Sequence, residues 1–232
     1  MNKLRNIGLG LFLMAAVVAV AQDSWKLRRT PKMGDTFSMK VTADVQVMGM
    51  EANFSAKVHE KVVKVESNGN YAVESTQTEG KVKFGDQEMD APAGGATTTR
   101  YSAAGEVLDI TGDDVSVDAF RLANMTAMSV PDQAFKIGDK FNWDVKPTDK
   151  NGNTKGSGTV EVVGKEMVGS WESIKLKVMF KEGVGSEPAE VTGFVWQSTK
   201  DGSMVKFEGE YKNAPFPGAP GPINAKFKLE RI

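Results

Sequence analysis

The sequence predicts an all-β fold, mainly antiparallel, with one short helix, its strands forming a curved sheet or half-barrel. Three observations lead there. Apolar and polar residues alternate with a period of two, turn words separate the alternating runs, and one short word occurs twice, each time at the head of a long run.

The amino terminus comes first in the chain and sets the compartment. Lys3 and Arg5 form a positive leader, Ile7 to Ala21 carries no charge, and Ala19-Val20-Ala21 offers small residues where signal peptidase reads. Residues 1–21 are therefore expected to be a signal peptide, cleaved before Gln22, with residues 22–232 forming a single β-rich body. The apolar run is shorter than the ~20 residues that cross a bilayer core, so no retained membrane span is expected. The expected location is outside the cytoplasm, in the periplasm or beyond the cell. With no cysteine in the chain, disulfides, thiolate metal sites and a lipid-modified cysteine are all excluded. Removal of Lys3 and Arg5 leaves 27 of the 29 basic residues against 30 acidic ones, a formal charge of −3, which argues against a nucleic-acid partner.

The strands follow in order. From 35 to 47, Phe37, Met39, Val41, Ala43, Val45 and Val47 share one parity, with polar residues on the other. Past Gly49 the parity flips, and Met50, Ala52, Phe54, Ala56 and Val58 take up the apolar positions, which predicts a long hairpin over 35–66. Asn68-Gly69-Asn70 is turn chemistry, Tyr71, Val73 and Ser75 resume a strand, and Gly80, Gly85 and Asp86 are expected to break it. Ala91 to Ala96 reads as a loop of small residues. The helical segment is placed at 113–128, with Asp113 or Asp114 as N-cap, and Ala119, Phe120, Ala123, Ala127 and Met128 on one face, ending before Pro131. Beyond it, Phe141, Trp143 and Val145 alternate, Asn151-Gly152-Asn153 turns the chain, and two strands carry Val160 and Val162, then Ile174, Leu176, Val178 and Phe180. Lys200-Asp201-Gly202 tips a hairpin between Phe194-Trp196 and Val205-Phe207-Tyr211, and the last strand points Ala225, Phe227 and Leu229 inward.

The repeated word is Lys32-Met33-Gly34-Asp35-Thr36-Phe37 and Lys136-Ile137-Gly138-Asp139-Lys140-Phe141. It divides the body into pseudo-repeat halves of about 32–112 and 136–232, joined by the helical segment. A second echo pairs Tyr101, Gly105 and Val107 with Trp196, Gly202 and Met204. An ancestral duplication and a coincidence of common turn words both account for these matches.

The Lys-apolar-Gly-Asp-x-Phe word, its return after the helix in Val130 to Asp139, and the aromatic strand with its Asp201-Gly202 tip resemble exported bacterial β-proteins of unknown function. In outline, a signal peptide followed by a meander, one helix and more strands is similar to the periplasmic lipoprotein-carrier superfamily. That resemblance implies a curved half-barrel around an apolar cavity; no functional residue is carried over from it.

Chemistry is sparse. His59, the only histidine, falls on the polar parity of its strand, and no Gly-x-Ser-x-Gly elbow accompanies it. Asp113, Asp114 and Asp118 lack the spacing of a calcium loop and read as helix-start acids. Asn153-Gly156-Gly158 lacks the Lys-Ser/Thr and helix of a phosphate loop. No catalytic residue, metal or cofactor is assigned. Two features bear on binding. Met39, Met48, Met50, Met89, Met125, Met128, Met179 and Met204 are adaptable apolar side chains suited to a core or to a lipid-like ligand. The Pro-rich segment from Ala214 to Pro222, with Phe216, is either a stiff inter-strand connection or a docking segment. The expected function is a non-enzymatic envelope protein that binds an apolar ligand, lipid or lipidated protein in a concave sheet, with Phe120, Met125 and Met128 as contacts. The alternative is an adhesion or assembly module that contacts other envelope proteins.

Overall fold

A computed structural model describes residues 23–47, 50–91, 94–113, 115–183, 188–219 and 221–232. The signal peptide, the Gln22 cleavage site, Met48, Gly49, Pro92, Ala93, Asp114 and Pro220, and the side chains of Val47 and Met50, lie outside the described residues.

Twelve strands form one curved, unclosed sheet. The first half contributes β2 (Thr36–Val47), β3 (Met50–Val65), β4 (Tyr71–Phe84), β5 (Gln87–Asp90), β6 (Thr97–Tyr101) and β7 (Val107–Gly112). The second contributes β9 (Lys140–Val145), β10 (Gly156–Val168), β11 (Trp171–Glu182), β12 (Glu190–Ser198), β13 (Met204–Ala214) and β14 (Ile223–Arg231). The spatial order is β7-β6-β4-β3-β2-β14-β13-β12-β11-β10-β9, with β5 pairing β4. Each half is thus a meander of neighbours in sequence, as short turns require of antiparallel strands, and β14 returns to stitch β2 to β13. A small two-stranded pair, β1 (Trp25–Lys26) with β8 (Ala134–Phe135), lies apart from this sheet.

Register follows the predicted parity. Met39 opposes Val58, Val41 opposes Ala56 and Ala43 opposes Phe54, so one face collects the apolar residues of both strands. Strand β4 departs from expectation at Gly80: the chain runs through it in a bulge, with Glu79 at φ 52°, and turns only at Gly85.

The two copies of the repeated word fold alike. The Gly34 N–H donates to the Val62 carbonyl at 2.9 Å and the Val62 N–H returns to Asp35 at 2.8 Å; Gly138, Val162 and Asp139 repeat this at 2.8 and 2.9 Å. In each word the Asp carboxylate accepts from the amide of the leading Lys at 2.8 Å. Gly34 at φ 89° and Gly138 at φ 92° adopt a backbone that glycine tolerates best. Even the bulge that follows is shared, between Val62 and Lys64 in β3 and between Val162 and Gly164 in β10.

The helix α1 is shorter than the sequence predicts, Val117–Thr126, and its N-cap is Ser116, whose hydroxyl accepts from the Ala119 amide at 3.1 Å. Asp113 belongs to the turn after β7; a cap side chain must sit within reach of the third amide, as Ser116 does. Arg121 anchors the helix to the sheet with paired donors to Glu182 at 3.0 and 2.7 Å, and this contact pushes the guanidinium pKa up. The segment from Leu27 to Thr30 runs beside the β12–β13 turn, where the Thr30 N–H donates to Asp201 at 2.8 Å. Gly202 permits this approach: a Cβ there would stand 2.6 Å from the Arg28 carbonyl oxygen.

The main core lies in the second half. It joins inward residues of β9 to β13, among them Trp143, Val160, Val162, Leu176 and Phe207, to Leu27, Met125, Met128, Val130 and Phe135 from the segments packed on the sheet. Among the described residues the first half has a smaller cluster of Val62, Tyr71 and Val73, with Phe37 and Tyr101 against it.

Candidate functional site

The helix, the amino-terminal segment and both halves of the sheet meet around a cavity of about 270 Å³. Apolar walls come from Leu27, Met39, Val73, Val130, Val178, Val191, Val195, Phe207 and Leu229, and α1 with the residues after it contributes Ala123, Met125 and Met128. One part of the wall is polar: Arg29, Glu60, Gln197, Ser203 and Arg231. The Arg29 and Arg231 guanidinium carbons lie 5.0 and 4.4 Å from the centroid of the Phe37 ring, so the two cations share one aromatic support. Tyr71 and Tyr101 stack at 5.2 Å in the same wall, and burial pushes both hydroxyls up, so they stay protonated donors. Burial lowers the Arg231 pKa, while the Asp201 carboxylate opposes that shift.

Of the three contacts expected from sequence, Met125 and Met128 line this cavity and Phe120 does not. Phe120 faces a second cavity of about 200 Å³, between β7 and β9, the two ends of the sheet. There Lys150 bridges the ends, donating to the Asp109 carboxylate at 2.6 Å and lying 5.7 Å from the Phe120 ring centroid. The separation has a helical cause: Phe120 and Met125 are five residues apart, half a turn off the three- and four-residue spacing that would superpose them. The methionines also divide. Met39, Met125, Met128 and Met204 line the larger cavity, whereas Met89 and Met179 are 51% and 48% exposed. Met179 alternates with the inward Val178 and Phe180 and so points the other way.

Arg29, Glu60 and Arg231 are not among the residues that the sequence pattern singles out. Two of them had a signal. Glu60 continues the inward parity of Ala56 and Val58, and Arg231 continues that of Phe227 and Leu229, so each is a charge on an apolar stripe. Arg29 lies outside the regular strands and had none.

No family model and no curated protein matches the sequence. Among solved structures the chain is similar to the hypothetical lipoprotein YmcC from Escherichia coli, at 11% identity and a TM-score of 0.35 over 87% of this chain and 89% of that one. It is also similar to a Bacteroides fragilis protein described as exported and having a YmcC-like fold, at 12% identity and a TM-score of 0.32 over 88% of this chain and 98% of that one. Superpositions this loose transfer no property to this chain.

The remaining candidates lie elsewhere. His59 is exposed on β3 and its Nδ1 bonds the Ser38 hydroxyl at 2.8 Å; the two are directly opposed cross-strand neighbours. Asp118 pairs with Arg121 at 3.3 Å. Phe216 of the Pro-rich connection packs inward, stacked on Phe227 at 5.3 Å and edge-on to Tyr211 at 6.0 Å. Among the described residues no helix is long and apolar enough to cross a membrane, and no group of three or more His, Cys, Asp or Glu could hold a metal.

Proposed function

We propose that this is a non-enzymatic exported protein that holds an apolar ligand in the cavity between α1 and the sheet. The observation that carries the reading is the position of that cavity, where the second-half core ends and the first-half cluster begins, with carbon on most of its wall. Methionines enter from β2, from β13 and from the helical segment, and an unbranched thioether repacks readily around guests of different shape. The volume is at the small end for ligand pockets, which fits one acyl chain better than a whole bilayer lipid. The alternative, an assembly module, has less behind it: Lys150 and α1 occupy the gap between the end strands, and Phe216 is engaged within its own fold.

Native mass spectrometry of the chain from Gln22, purified from a bacterial periplasm, tests the proposal when combined with extraction and identification of co-purifying lipid. A stoichiometric apolar adduct is expected, displaced by a fluorescent fatty acid. A bare protein that takes up no apolar probe would overturn the reading and favour assembly.

A further inference from the structure

We infer that the ligand of this cavity carries an anionic head, a carboxylate or a phosphate, and that Arg29 and Arg231 receive it. The inference rests on the proposed apolar ligand and adds its polarity and orientation.

Among the described residues Arg28 pairs with Asp132, Arg100 with Glu66 and Arg121 with Glu182, at 3.7, 2.9 and 2.7 Å. Arg29 and Arg231, which line the cavity, have no carboxylate of the described residues within ion-pair distance. Arg231 Nη2 donates to the Ser203 hydroxyl at 2.9 Å and to the Met204 carbonyl, which fixes the side chain in place. Its Nε and Nη1, and Nη2 of Arg29, are buried without a hydrogen-bond partner. Three guanidinium donors are therefore withdrawn from solvent, against one unpartnered acceptor at the same wall, Gln197 Oε1. Buried donors on cations are costly to leave unmade, and two planar forks supported on one aromatic ring offer the donors that the oxygens of a carboxylate or phosphate accept.

The facing charges are few. Glu60 lines the cavity, and Asp201 acts on Arg231 from the β12–β13 turn, where it accepts from the Ser203 amide at 3.0 Å. Neither closes an ion pair with the two arginines. The apolar wall formed by Met39, Met125, Met128 and Val195 supplies the place for a chain attached to the head. The chemistry is that of an anionic amphiphile with a single tail.

Calorimetry on the full mature chain with decanoate, decyl phosphate, decanol and decyltrimethylammonium tests the inference. The two anions are expected to bind at least tenfold tighter than decanol, with the cation weakest, and the ratio of decanoate to decyl phosphate identifies the head. Arg231→Gln and Arg29→Gln should each lower anion affinity about tenfold and decanol affinity far less, so that retained decanol binding reports a folded protein. Arg231→Lys should keep most of the preference, and Glu60→Gln should raise anion affinity. Equal binding of decanol and decanoate would overturn the anionic head and leave the apolar cavity standing. Failure of every probe, decanol included, would overturn the cavity reading as well.

Discussion

The first and second halves of the sheet start from the same instructions and end in different surroundings. Each opens with a Lys-apolar-Gly-Asp-x-Phe word, closes the same backbone hydrogen bonds and carries a bulge after an equivalent valine. Yet Val162 belongs to an extensive core, and Val62 to a cluster of three buried residues. The difference lies outside the strands. Leu27, Met125, Met128, Val130 and Phe135 come from segments that pack on the second half, and among the described residues no comparable set packs on the first. Local sequence thus determines how a strand starts and bends, whereas the covering segments decide which face becomes filled. A cavity forms where their coverage ends.

The largest expected effect tests that division directly. Val62 and Val162 are 0% and 1% exposed, so area alone predicts equal losses on truncation. Val162→Ala should cost about 2.5 kcal/mol, because the enclosed core cannot collapse around the lost methyls; Val62→Ala should cost about 1.5 kcal/mol, close to the transfer term alone. Urea denaturation of the two variants measures the gap. Equal losses would mean that the first half is as tightly held as the second.

A smaller and deliberately equal pair comes next. Gly34 at φ 89° and Gly138 at φ 92° each have open space where a Cβ would go, so only backbone strain opposes a side chain. Gly34→Ala and Gly138→Ala should each cost about 1 kcal/mol, the same within error, in the same denaturation assay. A clear inequality would show that the turn geometry is set by its surroundings and not by the word.

The alternation made the strands legible, because a sheet with one buried face stamps a period of two on the chain. It also made Glu60 and Arg231 legible in principle, as charges on the inward parity of β3 and β14. Other features were not readable in this way. The insertion of β14 between β2 and β13 is a tertiary choice without a local signature. Arg29 comes from an irregular segment whose direction is fixed by its approach to Gly202. The sequence places the helix start too early, because acidic residues near a helix terminus look like caps whether or not they reach an amide. The sequence groups Phe120 with Met128 on one face, but Phe120 meets the gap between the sheet ends and not the main cavity.

The smallest expected effect concerns two carboxylates at matching places. Glu66 and Glu166 each follow their bulge by the same spacing and reach the strand two places over: Glu66 accepts from Arg100 at 3.0 and 2.9 Å, and Glu166 from the Trp196 indole at 2.6 Å. Arg100 holds the Glu66 carboxyl down at about 2, with Lys64 adding to the effect; the Trp196 bond, then Lys175, lowers Glu166 as well. Both pKa values are depressed on folding, so each carboxylate stabilises the protein fully above the unfolded value of about 4.3 and ceases to as pH falls through its folded value. For Glu66 that window runs from about 4.3 down to about 2. Comparison of Glu66→Gln and Glu166→Gln with the parent protein in urea between pH 7 and pH 2 should show the parent's advantage shrinking on acidification in both cases. The larger change is expected for Glu66, which takes two bonds from one guanidinium, whereas the shortest bond to Glu166 comes from a neutral indole. A parent advantage that stays constant with pH would mean that these bonds survive protonation, and that what separates the halves here is packing of the side chains and not charge.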